Sequence, residues 1–227
     1  MDDYVDFRKL KCERDFTTWY FTIATDEERS LADIVFEYSY KYFSDFRFSP
    51  NSIVKPFIEA QVIDDDGVTL YNDYDNPPGE LEFFDTNVLE AYLYKVKELG
   101  GGILGQVNYQ EHSITIPPEF IKDKDAGKPH ILHEIIHIYE EVINMQFIYY
   151  HDILLFSLYD DLRKRVPDLR DRIIAHTHLI SSEKVLLSGG EHDLLFFLKS
   201  IDLDLRCGYP LGTVCGYGRD EYDGDND

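Results

Sequence analysis

The pentapeptide His133-Glu134-Ile135-Ile136-His137 lies inside a stretch of helical periodicity, residues 129–149, and it decides how the rest of the chain is interpreted. Positions i and i+4 of a helix share one face, so the two imidazoles lie side by side. Such a pair can bind one tetrahedral zinc ion through ring nitrogens at about 2.0 to 2.1 Å. Glu134 lies off the line of the pair, where a general base can take a proton from a water molecule.

Apolar residues cover most of this helix: Leu132, Ile135, Ile136, Tyr139, Val142 and Ile143. The polar residues form one stripe: His130, His133, His137, Glu140 or Glu141, and Asn144. A buried polar group without a partner costs about 1 to 3 kcal/mol, so a stripe on a buried helix needs partners. A surface helix whose histidines face water is the alternative, but the apolar residues are spread too widely for it. His130, Glu140 and Glu141 are predicted to orient the ligand imidazoles, and Pro129 is expected in the first turn.

The H-E-x-x-H helix resembles that of the zincins, a family of zinc-dependent metallopeptidases. The resemblance covers residues 106–146. It implies that His133 and His137 bind zinc and that Glu134 is the general base acting on a zinc-bound water molecule. Zincins place an edge strand before the active helix, and Ser113–Ile116 is the matching segment here. The resemblance also implies a peptide or protein substrate, which would lie extended along that strand.

A catalytic zinc site needs a third protein ligand, and the subfamilies of zincins supply it differently. The metzincin extension requires Gly at position 140 and His at position 143, where this chain has Glu140 and Ile143. Residues 212–218 (GTVCGYG) echo the aspzincin signature, but they are one residue short and contain no Asp. The thermolysin-like N-E-x-x-S-D pattern is also missing from the sequence. The third ligand therefore follows no familiar motif.

Six residues of the later helices are candidates for the third ligand: His176, His178, Glu183, Glu191, His192 and Asp193. On a helix, side chains two positions apart diverge by about 200°, so at most one of the first two histidines can be a ligand. His192 is favoured because it opens an apolar helix behind two glycines, where backbones can approach closely. Glu183 is the choice if the site uses a glutamate ligand.

The first hundred residues are predicted to alternate between strand and helix. Residues 16–24 (FTTWYFTIA) have the aromatic and β-branched composition of a strand. The capping box that begins at Thr25 predicts a helix over residues 26–43. The other predicted elements are a hairpin (57–63 and 68–71), a loop (72–80), a helix (87–99), and two short extended pieces or one bent strand (106–116).

The second half is predicted to be mainly helical, with helices at 129–149, 151–166, 168–180 and 191–203. The expected fold class is α+β and zincin-like, with a small mixed or antiparallel sheet packed on the H-E-x-x-H helix. Residues 1–105 form an N-terminal α/β portion that can belong to the same domain. Residues 106–219 are expected to form the metallopeptidase core, and residues 220–227 are expected to form an acidic flexible tail.

The amino-acid composition limits which classes of partner the protein can bind. The 227 residues carry 44 acidic and 22 basic side chains, a net charge of −22. This charge disfavours binding to nucleic acid and to anionic membrane surfaces. The sequence has neither a signal peptide nor an apolar run of 18 residues, which predicts a cytoplasmic protein. Cys12, Cys207 and Cys215 form no CxxC pair, which argues against a disulfide framework and against a cysteine-built zinc site.

Two other functions remain open at this stage. The same fold could bind a metal ion or a peptide without catalysis. Alternatively, the protein could be an acidic interaction or inhibitor protein whose histidines are incidental.

Overall fold

The computed structural model describes residues 15–43, 86–100, 103–146, 148–180 and 192–216. Its helices are α1 (Asp26–Phe43), α2 (Thr86–Ala91), α3 (Pro118–Lys122), α4 (Lys124–Gln146), α5 (Ile148–Arg165), α6 (Leu169–Ile180) and α7 (Leu194–Cys207). Its strands are β1 (Leu93–Val96), β2 (Gln106–Asn108) and β3 (Ser113–Ile116). The described chain is therefore α+β, with one small mixed sheet and a mainly helical second half.

Several predictions fall outside the described residues. They concern the hairpin of residues 57–71, the loop of residues 72–80, the acidic tail, and the candidates Glu183 and Glu191.

The three described strands form one sheet in the order β1-β3-β2. β3 pairs with β1 in parallel and with β2 in antiparallel orientation. Residues 106–116 are therefore two strands rather than one bent strand. The expectation that Ser113–Ile116 is the edge strand is wrong, because this strand is central and fully buried. Strand β2 is the outer strand beside α4 within the described part of the chain.

Helix α1 confirms the prediction for residues 26–43. The Thr25 hydroxyl accepts a hydrogen bond from the Glu28 N–H at 3.2 Å, and the Glu28 carboxylate accepts one from the Thr25 N–H at 2.9 Å. This reciprocal capping box satisfies two N–H groups that a helix start leaves unpaired. The other end is held by α7, where Lys199 Nζ and Arg206 Nη1 donate to the Tyr42 carbonyl at 3.2 and 2.7 Å. Cations at a helix C-terminus complement its dipole.

The predicted strand over residues 16–24 is wrong, because this segment is helical at Phe16–Thr18 and Trp19–Ile23. The Asp15 carboxylate caps it by accepting a hydrogen bond from the Thr18 N–H. The Phe16 and Trp19 rings both lie against Tyr94 of β1, with centroids 6.2 and 5.9 Å away. A helix brings residues three apart onto one face, so packing on the sheet overrides the strand preference of aromatic residues.

The predicted helix over residues 87–99 is only partly correct. Helix α2 ends at Ala91, and β1 begins two residues later. Tyr94 is buried in the register position opposite Ile114, and its hydroxyl donates to the Leu89 carbonyl at 2.8 Å. Residues 93–96 form a strand because they pair with β3. The sequence of this segment alone shows helical periodicity and does not reveal that pairing.

Helix α4 confirms the predicted H-E-x-x-H helix but begins earlier, at Lys124. The Asp123 carboxylate caps it by accepting a hydrogen bond from the Ala126 N–H at 3.1 Å. Pro129 is therefore inside the helix, whereas the sequence predicted it in the first turn. All six predicted apolar residues of α4 are buried. The helix packs against β2, α1, α3, α5 and α7, which places it at the centre of the core.

Helices α5 and α6 confirm the helices predicted for residues 151–166 and 168–180, although α5 begins earlier, at Ile148. Helix α7 confirms the predicted helix of residues 191–203 only in part, because it begins at Leu194 and ends at Cys207. α7 packs against α5 and α4, and this contact brings the N-terminus of α7 to the histidine face of α4. Among the described helices, none combines the length and apolar character that a membrane span requires.

Candidate metal centre

Three histidines converge at the face of α4. His133 and His137 lie one turn apart on this helix, and His192 comes from the turn that precedes α7. The ring centroids of the three pairs are 5.0 to 5.1 Å apart. Within the described chain, this is the one group of three or more His, Cys, Asp or Glu side chains whose ligand atoms lie within 4.8 Å of one another. The structure thus brings together the three residues that the sequence analysis favoured.

The spacing of the ring nitrogens fits a tetrahedral ion. The Nε2 atoms of His133 and His192 are 3.2 Å apart. Two nitrogens bound to zinc at about 2.0 to 2.1 Å with tetrahedral angles are themselves about 3.3 to 3.4 Å apart. Burial lowers the pKa of His133 to about 4, and the nearby His192 acts in the same direction. Burial likewise lowers the pKa of His137 to about 2. Both rings are therefore neutral at pH 7, as metal ligands must be.

Phe196 forms the floor under the three imidazoles. Its ring centroid is 4.6 to 4.8 Å from each of the three histidine rings, and its side chain is fully buried. The helix places it there because Phe196 lies on the first turn of α7, four residues after His192. An apolar floor excludes water from one side of the histidines and so directs the open side of the group outward.

The other ring nitrogens of the α4 histidines face hydrogen-bond acceptors. His133 Nδ1 donates to the Val214 carbonyl at 2.9 Å. His137 Nδ1 lies 3.6 Å from Glu140 Oε2, just beyond hydrogen-bond distance. An acceptor at Nδ1 keeps the proton there and leaves Nε2 for a metal ion. Glu140 thus lies beside the His137 ring, but it makes no hydrogen bond to Nδ1, so its predicted orienting role stays a prediction.

A buried pair of carboxyl groups lies behind His137. Burial and the neighbouring Asp193 hold the pKa of Glu140 well above its usual range. Burial also acts to raise the pKa of Asp193, but hydrogen bonds with His151 and Glu140 lower it overall. The two carboxyl groups form a hydrogen-bonded pair whose pKa values are shifted in opposite directions. Asp193 in turn caps α7 by accepting from the Phe196 N–H at 3.0 Å, which links the turn carrying His192 to α4.

Glu134 lies between the two α4 histidines in sequence and points toward strand β2. It is 4% exposed, and burial raises its pKa to about 8, although a hydrogen bond from the Val107 N–H acts in the opposite direction. Gly105 makes this position possible, since a Cβ there would lie 2.5 Å from Glu134 Oε1. The carboxyl group is thus held between α4 and the backbone that leads into β2.

The remaining third-ligand candidates fall elsewhere. His176 is buried, and its Nε2 lies 3.2 Å from the His192 carbonyl, so it contacts the backbone of the site. Its ring stacks on Phe197 at 4.0 Å. Asp193 is the cap of α7 and not part of the histidine group. The side chain of His178, like Glu183 and Glu191, lies outside the described residues.

Two predicted outer partners of the ligands have other neighbours. The His130 ring packs on Phe120 at 4.3 Å. Glu141 Oε1 lies 3.3 Å from His112 Nδ1, at the start of β3. Both contacts stabilise the packing of α4 on its surroundings, and neither contact involves a ring of the histidine group.

Sequence reasoning missed Gly105, Phe196 and Val214 as parts of the site. Gly105 belongs to no motif, and it directly precedes the extended pieces predicted over residues 106–116. Phe196 has the periodicity of an ordinary core residue, and Val214 acts through its backbone carbonyl, which no side-chain motif encodes.

Comparison of the chain with protein-family models, with curated proteins and with solved structures found no match. The functional assignment therefore depends on the geometry of the site.

Proposed function

We propose that this protein is a zinc-dependent metallopeptidase of zincin-like fold, with His133, His137 and His192 as zinc ligands and Glu134 as the general base. The observation that carries the proposal is the convergence of a third histidine on the H-E-x-x-H pair from a helix more than fifty residues away in sequence. Three imidazoles on an apolar floor match the donor set of a catalytic zinc site.

The chain's own groups have distinct tasks in this proposal. When bound, zinc supplies a Lewis acid that polarises the scissile carbonyl and lowers the pKa of water. The ionised form of Glu134, a minority at pH 7 given its pKa of about 8 in the metal-free protein, takes the proton from the attacking water and delivers it to the leaving amine. The Val107 N–H keeps the Glu134 carboxyl in place. The Val214 carbonyl and Glu140 keep the α4 imidazoles oriented.

Apolar side chains lie next to this arrangement. Ile103 and Leu104 directly precede Gly105 and are 48% and 46% exposed. Tyr109 follows β2, and its ring centroid is 6.5 Å from that of His137. These exposed apolar side chains support a substrate with apolar side chains rather than a small ion.

Glu134→Gln tests the proposal. We expect zinc-loaded wild-type protein to cleave a pool of fluorogenic peptides. The variant should lose about 10²- to 10⁴-fold in kcat/KM, the usual contribution of a general base, and keep one zinc per chain. Glu141→Gln is the matched control, because Glu141 is an equally buried acid of α4 whose partner is His112. Its activity should stay near that of the wild type.

The same experiment separates the alternatives. Bound zinc without peptide cleavage by the wild type would support a non-catalytic metal-binding module. Absence of zinc after expression in zinc-supplemented medium would support an acidic interaction protein.

A further inference from the structure

Residues 210–216 fold back from the end of α7 onto the candidate metal centre. The Val214 carbonyl at this turn accepts the Nδ1–H of His133 at 2.9 Å. Gly216 lies beside the same ring, where a Cβ would be 3.8 Å from Nδ1. The segment that echoes the aspzincin signature therefore contributes no side-chain ligand, but it contacts the first histidine of the H-E-x-x-H motif.

Asp204 of α7 holds this turn in place. Its Oδ2 accepts a hydrogen bond from the Gly212 N–H at 2.7 Å, and its Oδ1 accepts one from the Val214 N–H at 3.0 Å. The Thr213 N–H is a third backbone partner. Asp204 is fully buried, and a buried carboxylate is tolerated only when such donors surround it. The side chain thus accepts the Gly212 and Val214 N–H groups on either side of Thr213, whose own N–H also donates to the Pro210 carbonyl.

A second contact joins the turn to the same helix. Ser200 lies four residues before Asp204, which places both side chains on one face of α7. It hydrogen-bonds the buried thiol of Cys215. His192 lies just before the start of α7, and Asp204 lies near its end. Helix α7 therefore directly follows His192 and also holds the turn whose carbonyl accepts the hydrogen bond from His133.

We propose that Asp204 is a positioning residue of the metal centre: by holding the turn of residues 212–214, it keeps the Val214 carbonyl on His133 Nδ1. In a neutral imidazole one ring nitrogen carries the proton and the other accepts. A carbonyl at Nδ1 selects the tautomer whose Nε2 is free to bind a metal ion. The benefit to metal binding rests on the proposed function, whereas the tautomer is a property of the metal-free protein.

The test is nitrogen NMR of the histidine rings in metal-free protein, combined with zinc affinity from competition with a chelator. We expect His133 of the wild type to carry its proton on Nδ1. In Asp204→Asn the amide oxygen can accept one of the two N–H groups, but the NH2 group faces the other, so the turn is loosened. His133 should then shift toward the Nε2–H tautomer, and zinc should bind about 10- to 100-fold more weakly, the usual effect of losing an outer partner.

Asp202→Asn is the matched control. Asp202 is a buried acid on the same helix, but its partners are Lys199 at 3.1 Å and Arg165 at 3.1 Å rather than the turn. A purely structural role of buried acids in α7 would alter both variants alike. A positioning role alters the His133 tautomer and the zinc affinity in the Asp204 variant alone. If Asp204→Asn does not fold, Asp204→Ser replaces it, since its hydroxyl still accepts one N–H group.

The outcomes of this test are distinct. An Nε2–H tautomer of His133 in the metal-free wild type would overturn the proposal. So would an Asp204 variant with the tautomer and zinc affinity of the wild type. A shifted tautomer in the variant, together with a wild type that binds no zinc, would support the positioning role while the proposed function fails.

Discussion

Gly105 offers a sharp test of the position of Glu134. A Cβ at residue 105 would lie 2.5 Å from Glu134 Oε1 and 2.9 Å from its Cδ. Ordinary contacts begin at about 3.4 Å, so Gly105→Ala must displace the carboxyl group by about 0.9 Å. Glu134 is buried and receives the Val107 N–H, so the displacement also lengthens that hydrogen bond. The three histidines need not move.

A misplacement of about 1 Å at a catalytic group costs on the order of 10²-fold in rate. We therefore expect kcat/KM of Gly105→Ala on fluorogenic peptides to fall about 100-fold, with one zinc per chain retained. Gly100→Ala is the control, because a Cβ at residue 100 meets no atom within 4 Å. Its kcat/KM and zinc content should equal those of the wild type. A Gly105→Ala protein with full zinc and kcat/KM within twofold of the wild type would refute the assignment of Glu134 as the general base.

Three further predictions concern the metal centre and the buried acids. Zinc at 100 times its Kd should stabilise the wild type by about 2.7 kcal/mol, or about 5 to 11 °C in Tm, and calorimetry should show no such gain for His137→Ala. Glu140→Ala should weaken zinc binding about 10- to 100-fold in chelator competition, whereas an equal loss in Glu141→Ala would contradict the role of Glu140 at His137. Burial raises the pKa of Glu141 to about 8 and of Asp204 to about 7. At these pH values the folded state keeps protons that the unfolded chain has lost. The Tm of the metal-free protein should therefore fall as the pH is raised from 6.5 to 8.5, and a Tm that rises would contradict this.

Much of the site could be predicted from local spacing. The i,i+4 spacing of His133 and His137 fixes their relation within any helix, and the apolar residues around them indicated a buried α4. His192 could be favoured only narrowly, because its approach depends on how α7 packs against α4 and α5. Such packing is a non-local contact that a single sequence does not display.

The errors in the fold have the same origin. Phe16 and Trp19 have strand-like composition, but their rings are held by Tyr94, almost eighty residues away. Strand β3 could not be recognised as central without knowing that β1 pairs with it. The roles of Gly105 and Val214 depend on a missing side chain and on a backbone carbonyl, neither of which a residue pattern specifies.

The central claim is that His133, His137 and His192 bind one zinc ion together. Its most direct test is the zinc content of protein purified after expression in zinc-supplemented medium, measured by mass spectrometry for the wild type, His192→Ala and His130→Ala. His130 is the control, since it is a histidine of α4 that packs on Phe120. We predict one zinc per chain in the wild type and in His130→Ala, and almost none in His192→Ala. A wild type without zinc, or a His192→Ala protein that retains one zinc per chain, would contradict the claim.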